Sequence, residues 1–307
     1  MEHWKKQWTA LMPKNVAEVL DRLDDDAPLL EIRLRRDAPL ELVFDGSDRI
    51  VFGNNGAPMV TEEELAALTA RLTEYSAYAW ENERKNGFIT VGGCRVGLSG
   101  RMIRTENNVL GFSNISGVCV RIVREVKDCA KPLVGLLTHN GRLCSTLLIS
   151  PPGHGKTTLL RDLIRIASDG LCGVAPTRVG GADERFELSG DASGAVAFDL
   201  GMRTDVISGI TKADAMVRIV STLSPGILAM DELNDARDAA ALLDARGKGV
   251  TILATSHGAS LKELKLRPSI RMLLHERVFD RIALIKGIGV YADVFDADGN
   301  RVAQDPQ

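Results

Sequence analysis

Residues 147–160 read LLISPPGHGKTTLL, and this stretch decides the fold. An apolar strand runs into a glycine-rich turn, a Lys-Thr pair follows, and apolar residues then recur at helical spacing. Glycines lack a Cβ atom, so the turn can fold with its N–H groups pointing at phosphate oxygens, and the positive end of the helix dipole faces the same anion. The stretch therefore predicts a phosphate-binding loop, or P-loop, that holds ATP.

Individual positions of the loop have predicted roles. Lys156 reaches the β- and γ-phosphates, and the Thr157 hydroxyl ligates Mg²⁺. The strict loop pattern starts with glycine, whereas Ser150 stands there in this chain. The alternative is a glycine-rich connection between strand and helix that binds nothing. The predicted ATP-binding residues are Ser150, Pro151, Pro152, Gly153, His154, Gly155, Lys156, Thr157 and Thr158.

A second apolar strand ends in two acids. The sequence ILAMDE at residues 227–232 places Asp231 and Glu232 directly after it. Open α/β sheets bind ligands at the carboxyl ends of their strands, so we expect this pair beside the P-loop. Asp231 is predicted to hold Mg²⁺ through water, and Glu232 to orient or deprotonate the attacking water. Solvated acids at a strand end are the alternative.

The segment ADERFEL at residues 182–188 contains a competing catalytic glutamate. Some P-loop ATPases take their catalytic carboxylate from such a position, so Glu184 competes with Glu232. The alternative is that Asp183, Glu184 and Arg185 pair with one another on the surface.

Three further segments contain candidate residues for sensing or coupling. In ATSHG at residues 254–258, Ser256 or His257 is predicted to sense the γ-phosphate, although a lone histidine is more often structural. In GMRTD at residues 201–205, Arg203 is a candidate arginine finger from an adjacent subunit, with a surface arginine as the alternative. Arg178 and Arg185 are its rivals. The arginines between Arg267 and Arg281 predict either a basic partner-binding stripe or a solvated helix face.

The chain divides into two predicted domains. Residues 1–130 combine helices with period-two strands, including a hairpin from Leu29 and a Thr61–Glu64 capping box, and predict a small α+β domain. In residues 131–307 strands and helices alternate, which predicts a parallel sheet wrapped by helices, with antiparallel edge strands at the end. The fold class is therefore α/β, a P-loop NTPase with a RecA/AAA-like sheet, preceded by the α+β domain.

The bulk composition limits the function classes. The chain has 307 residues, 45% hydrophobic and 26% charged, with a formal net charge of −3, so it has no general attraction to nucleic acid or anionic lipid. No apolar run approaches the roughly 20 residues that span a bilayer, and the start of the chain lacks a signal-peptide core. The five cysteines are widely spaced, as expected of reduced thiols, and the five histidines form no zinc motif. We expect a cytoplasmic protein.

Seven motifs in order carry a family resemblance: EIRLRRDAPLEL, GFITVGGCRVGLSG, SPPGHGKTTLLRDL, ADERFEL, MRTDV, SPGILAMDEL and ATSHG. On these the chain resembles the stage III sporulation protein AA family, P-loop ATPases of endospore-forming bacteria that are similar to type II and type IV secretion ATPases. Met202 and Asn234 depart from the pattern, where proline and glycine are usual. The resemblance implies a homo-oligomeric ring, expected to be a hexamer, at the inner face of the mother-cell membrane. There it would energise a secretion-like channel of membrane-embedded sporulation proteins.

Two other functions compete with the motor. One is a nucleic-acid-directed ATPase, since plastid proteins with a similar core carry an added single-strand-binding domain. The slight acidity of the chain and the lack of such a segment argue against it, so no nucleic acid partner is expected. The other is a scaffold that binds ATP without turnover, and the Lys156, Thr157 and Asp231 set argues against that. The N-terminal domain is expected to couple the motor to its partner.

Overall fold

The computed structural model describes residues 3–24, 27, 29–44, 47–50, 56, 58–74, 87–91, 94–104, 109–122, 125–190, 198–287 and 292–302. The chain divides into two compact units, Met1–Arg124 with Gly190–Ala195 and Glu125–Ser189 with Val196–Gln307. They are called here the N-terminal unit and the C-terminal unit. Among the described residues, no helix is both long enough and apolar enough to cross a bilayer.

The N-terminal unit is built on one antiparallel sheet. Its six strands lie in the order β3-β2-β1-β6-β5-β4. The elements are α1 (His3–Leu11), α2 (Lys14–Asp21), β1 (Leu29–Arg35), β2 (Glu41–Phe44), β3 (Ser47–Ile50), α3 (Glu62–Glu74), β4 (Phe88–Val91), β5 (Cys94–Arg104) and β6 (Val109–Arg121).

Several local predictions for this unit are confirmed. The period-two pattern from Leu29 forms the hairpin of β1 and β2. Both hydrogen bonds of the capping box are formed. Thr61 N donates to Glu64 Oε2 over 3.0 Å, and Glu64 N donates to Thr61 Oγ1 over 3.2 Å. The sequence predicts that this helix runs on toward Trp80, a segment that lies outside the described residues. The first helical stretch is divided in two at Pro13, whose ring lacks an N–H group.

The C-terminal unit holds a seven-stranded sheet in the order β11-β10-β12-β13-β9-β14-β15. Its elements are α4 (Lys131–Leu137), β7 (Thr138–His139), β8 (Arg142–Leu143), β9 (Thr146–Ser150), α5 (Lys156–Asp169), β10 (Val179–Asp183), β11 (Thr204–Ser208), α6 (Lys212–Thr222), β12 (Ile227–Met230), α7 (Ala236–Gly247), β13 (Thr251–His257), α8 (Leu261–Leu264), α9 (Pro268–His275), β14 (Arg281–Leu284) and β15 (Asp293–Asp296).

The predicted parallel sheet is confirmed, with one correction at its edge. Strands β9 to β14 of this sheet pair in parallel, and β15 alone is antiparallel to its neighbour. The antiparallel pair predicted at the end is β14 with β15. The correction is that β14 is not an edge strand, because it also pairs in parallel with β9. The spacing of apolar residues shows that a strand exists and not which direction its neighbour runs.

Burial on both faces explains why the central strands are continuously apolar. In β9, Leu148 packs in one core cluster with Leu160 and Leu163 of α5, because alternate side chains of a strand point to opposite faces. Leu147 joins the cluster on the other face, where Leu242 of α7 also lies. Helices therefore cover both faces and leave only the strand ends open to a ligand.

Candidate nucleotide-binding site

Four strand ends bring the predicted site residues to one edge of the sheet. Since β9, β10, β12 and β13 are parallel, their carboxyl ends lie together. The P-loop leaves β9 at Ser150, Asp231 follows β12, and His257 ends β13 directly opposite Ser150. Strand β13 lies between the P-loop strand and the acidic strand, so His257 is placed between the two halves of the site.

The P-loop adopts the backbone that its glycines allow. Gly153 and Gly155 have φ of 79° and 81°, in the left-handed region that favours glycine, and α5 begins at the next residue. Ser150, the departure from the pattern, is the buried last residue of β9 and is not left-handed. Serine therefore fits at this position without backbone strain.

The Lys156 ammonium is held at the mouth of the loop. Its Nζ donates to the carbonyl oxygens of Ser150 over 2.9 Å and Pro151 over 3.0 Å, and lies 3.0 Å from Nδ1 of His257. Burial lowers the pKa of Lys156, and the charges of Asp231 and Glu232 oppose that shift. The three close acceptors are neutral, so a polyphosphate competes for this ammonium favourably.

Thr157 and Asp231 meet across the site. Thr157 Oγ1 donates to Asp231 Oδ2 over 2.7 Å, and Thr255 Oγ1 donates to the other carboxylate oxygen over 2.5 Å. The Thr157 hydroxyl and the Asp231 carboxylate are hard oxygen donors of the kind that Mg²⁺ prefers. The pair therefore fits a magnesium ion that Thr157 would ligate and Asp231 would hold through water.

Glu232 has a left-handed backbone, with φ of 58°. Its Oε1 lies 3.3 Å from Nε2 of His257, and its Oε2 lies 3.5 Å from Nη1 of Arg185. Lysine can only donate, so Nδ1 of His257 accepts from Lys156 and the ring proton of the neutral form is on Nε2, facing Glu232. His257 therefore links Lys156 to Glu232.

The ADERFEL segment brings a different glutamate to the site from the one predicted. Glu184 is exposed, and its Oε2 accepts from the backbone N–H of Lys212 over 3.4 Å. Glu187 instead hydrogen-bonds to Asp231, and its pKa is raised to about 8 by burial and then by the charges of Asp231 and Glu232. The available signal was the second glutamate of the motif, three residues after the first.

Asp183 explains how Glu187 reaches the site. This buried carboxylate accepts from the backbone N–H groups of Glu187 and Ser189, each over 2.7 Å. The turn is completed by Phe186, which has φ of 58°. These bonds fold the chain back after β10, so Asp183 has a structural role and does not pair with its neighbours in sequence.

The three candidate arginines lie at different ends of the sheet. Arg203 Nη1 donates to Ser168 O over 2.9 Å, twelve residues along α5 from Lys156, which is about 18 Å at the helical rise. Arg203 and Arg178 precede β11 and β10, at the edge opposite the P-loop. Arg185 alone of the three contacts a predicted catalytic residue of its own chain, Glu232, among the described contacts.

The arginines of the predicted basic stripe do not lie on one helix. Arg267 donates to Ser256 Oγ over 3.4 Å, Arg277 pairs with Asp298 over 2.5 Å, and Arg281 begins β14. The prediction of one helical stripe was wrong, because α9 ends at His275 and the later arginines belong to other elements. Ser256 is buried.

A pocket adjoins the P-loop at Thr158. It is lined by residues that include Lys127, Arg161 and Asp199. Burial lowers the pKa of Arg161, whose guanidinium stacks 4.1 Å above the Phe198 ring. The pocket therefore offers donors and acceptors next to the phosphate-binding turn.

Comparison with known sequences identifies a relative along nearly the whole chain. The family model described as "Sporulation stage III, protein AA" matches residues 2–302. Stage III sporulation protein AA of Bacillus subtilis (strain 168) is 36% identical over 296 residues, which cover 94% of this chain and 94% of the relative.

Two solved structures with a similar fold are a pilus retraction motor and an ATPase. The pilus retraction motor PilT, solved with bound ADP, has a TM-score of 0.59 at 14% identity, covering all of this chain and 84% of that one. The ATPase DotB of Yersinia pseudotuberculosis has a TM-score of 0.58 at 14% identity, covering 98% and 78% of the two chains. These likenesses confirm the predicted P-loop NTPase fold.

Proposed function

The chain belongs to the family Sporulation stage III, protein AA, and we therefore propose that it is an oligomeric ATPase motor that energises a secretion-like channel during endospore formation. The observation that carries the proposal is the 2.7 Å hydrogen bond between Thr157 and Asp231. It joins the P-loop to the acidic strand, with Lys156 and Glu232 on either side. A sheet edge with this set can bind a nucleotide and its metal together.

Each side chain has a role in the proposed hydrolysis. Lys156 neutralises phosphate charge, while Thr157 and Asp231 would hold Mg²⁺, which would supply positive charge at the transferred phosphoryl group. Glu232 orients or deprotonates water, since its carboxylate is fixed by two partners. His257, between Lys156 and Glu232, couples the phosphate to the base.

Glu187 is a second carboxyl in this arrangement. With a pKa of about 8, Glu187 keeps its proton at neutral pH when no cation is near, and in that state it cannot accept a proton from water. The exposed Glu184 remains a candidate of lower rank, because its described contact is a backbone N–H.

The oligomeric part of the proposal rests on two supports. PilT is titled a motor, and its fold is shared by this chain. Arg203 sits about 18 Å along α5 from Lys156, so any role at a transferred phosphate requires a second subunit. We propose a hexamer at the inner face of the mother-cell membrane, which the N-terminal unit couples to membrane-embedded channel proteins.

The test is phosphate release by the purified full-length chain with Mg²⁺ and ATP. Lys156→Ala should lower nucleotide affinity by about 100-fold or more, since a charge-assisted contact is lost. Asp231→Asn should keep ATP binding and lose Mg²⁺-dependent turnover. Lys248→Ala is the matched control, because Lys248 is exposed and pairs with Asp244. Wild-type turnover in Lys156→Ala would sink the proposal, and stimulation by single-stranded DNA would favour the nucleic-acid-directed alternative.

A further inference from the structure

The backbone of Glu232 is in a conformation that a residue with a Cβ atom rarely adopts. Its φ of 58° is left-handed, and it directly follows Asp231 at the end of β12. Such a conformation persists only where neighbouring groups fix it, and it is frequent at functional sites. The groups that hold this one residue therefore decide where its carboxylate points.

Two polar side chains hold the two ends of the residue. Thr255 Oγ1 accepts from Glu232 N over 2.8 Å. On the other side, Lys212 Nζ donates to Glu232 O over 2.5 Å. A hydrogen bond from an ammonium is stronger than one between neutral groups. Lys212 therefore supplies a strong contact that fixes the left-handed residue.

Lys212 is itself buried and oriented. Only 7% of its surface is exposed, and its Nζ lies 3.7 Å from Asp238 Oδ2 at the start of α7. The same carboxylate oxygen of Asp238 accepts from Asn234 N over 3.3 Å. A buried ammonium needs such partners, because desolvation is costly for an unpaired charge. The ammonium of Lys212 is thus held between Asp238 and the backbone carbonyl of Glu232.

We infer that Lys212 is a positioning residue, which holds the left-handed backbone of Glu232 and so directs its carboxylate toward His257. The inference rests on the proposed function, in which Glu232 acts on water. Among the described contacts, the Lys212 side chain reaches the site through the Glu232 carbonyl and touches neither Lys156 nor Asp231. The Lys212 ammonium fixes the backbone of Glu232, and the Glu232 carboxylate acts on water.

A purely structural role is the competing explanation, in which Lys212 and Asp238 only tie α6 to α7. The two roles differ in what Asp238 does. If Lys212 serves Glu232, removing the charge of Asp238 leaves the hydrogen bond to the Glu232 carbonyl in place. If Lys212 serves only the ion pair, loss of either partner has the same effect.

The kinetic experiment compares Lys212→Met with Asp238→Asn in the full chain. Methionine keeps the length of the lysine stem and removes the donor. Lys212→Met should lower kcat for ATP by about 10- to 100-fold, because small misplacements of a catalytic group have effects of this size. KM should stay within about threefold, and Asp238→Asn should keep kcat within about threefold of the wild type. Wild-type kcat in Lys212→Met, or equal loss in both variants, overturns the inference.

A stability experiment tests whether Lys212 holds the Glu232 backbone without measuring ATP hydrolysis. Lys212→Met is introduced into Glu232→Ala and Glu232→Gly chains, which both lack the carboxylate and differ only in the Cβ atom. Glycine adopts a left-handed φ without help, so Lys212→Met should lower Tm more in the alanine chain than in the glycine chain. Equal losses would mean that Lys212 does not hold this backbone. If the wild type fails to hydrolyse ATP, the proposed function fails, whereas this comparison still reports on Lys212.

Discussion

Nδ1 of His257 lies 3.0 Å from Nζ of Lys156, although 101 positions separate the two residues in the chain. Parallel pairing of β13 with β9 sets this contact, because it places His257 opposite Ser150, where the P-loop begins. The opposite side of the same ring faces Glu232. We therefore propose that a change at Lys156 reaches Glu232 through this one side chain.

The two sides of the ring can be tested separately. In His257→Asn the amide oxygen can replace Nδ1 as an acceptor for Lys156, but the side chain is too short to reach Glu232. In His257→Gln the longer amide can donate to Glu232. We expect turnover to fall at least 10-fold in the Asn variant and less in the Gln variant, with ATP affinity little changed in both. Phosphate release and fluorescent-nucleotide titration measure this, and unchanged turnover in both variants would rule out the coupling.

Glu187→Gln should flatten the dependence of stability on pH. The pKa of Glu187 is raised from its ordinary 4.5 to about 8 by burial, so between these values the folded chain keeps a proton that the unfolded chain has released. Rising pH then favours unfolding over this window, and the stabilisation is lost as pH passes the folded pKa. Thermal denaturation without nucleotide should show a steeper fall of Tm from pH 5 to about 8 in the wild type than in the variant. Glu184→Gln should keep the wild-type slope, and a Glu187→Gln slope equal to it would contradict the assignment.

Gly180→Ala should destabilise the C-terminal unit. A Cβ atom at Gly180 would lie 2.2 Å from Cγ2 of Ile219, which is fully buried where α6 packs on β10. Overpacking of this kind costs about 1–3 kcal/mol. Gly135→Ala is the control, since a Cβ there meets nothing within 4 Å and alanine favours the helix α4. Chemical denaturation should show a loss in the first variant and none in the second.

Arg203 is predicted to act in trans, because its own P-loop is at the opposite end of α5. Mixing inactive Lys156→Ala and Arg203→Ala chains creates interfaces where both residues are intact, so partial ATPase activity should return. Full activity of Arg203→Ala alone, or no recovery on mixing, would leave Arg203 as a cap of the helix C-terminus through its bond to Ser168 O.

The sequence allowed the motif-bearing strands to be predicted because their signals are local. The strand before Ser150, the glycine turn and the apolar spacing of α5 each depend on neighbouring residues, and the same holds for the acids after β12. The contacts between these motifs follow from parallel pairing, which brings their carboxyl ends to one edge.

Features set by tertiary contacts could not be predicted. Glu187 reaches Asp231 because Asp183 folds the chain back, and neither residue pattern nor spacing shows that turn. The position of β13 between β9 and β12 is a matter of strand order, which the alternation of strands and helices does not specify. Strand β11 was missed because its sequence TDVIS contains only two apolar residues, unlike the continuously apolar strand β12.

Strand β13 joins the two halves of the candidate site in the sheet of the C-terminal unit. It is hydrogen-bonded to β9 on one edge and to β12 on the other. These two pairings link the strand that leads into the P-loop with the strand that ends at the acids. Strands in a sheet are about 4.8 Å apart, so the two parts stand about 9.6 Å from each other with this strand as their common support. A mechanical load pulling across the sheet at this point crosses β13, and the stiffness of its two ladders limits how far the cleft can widen while a nucleotide is gripped.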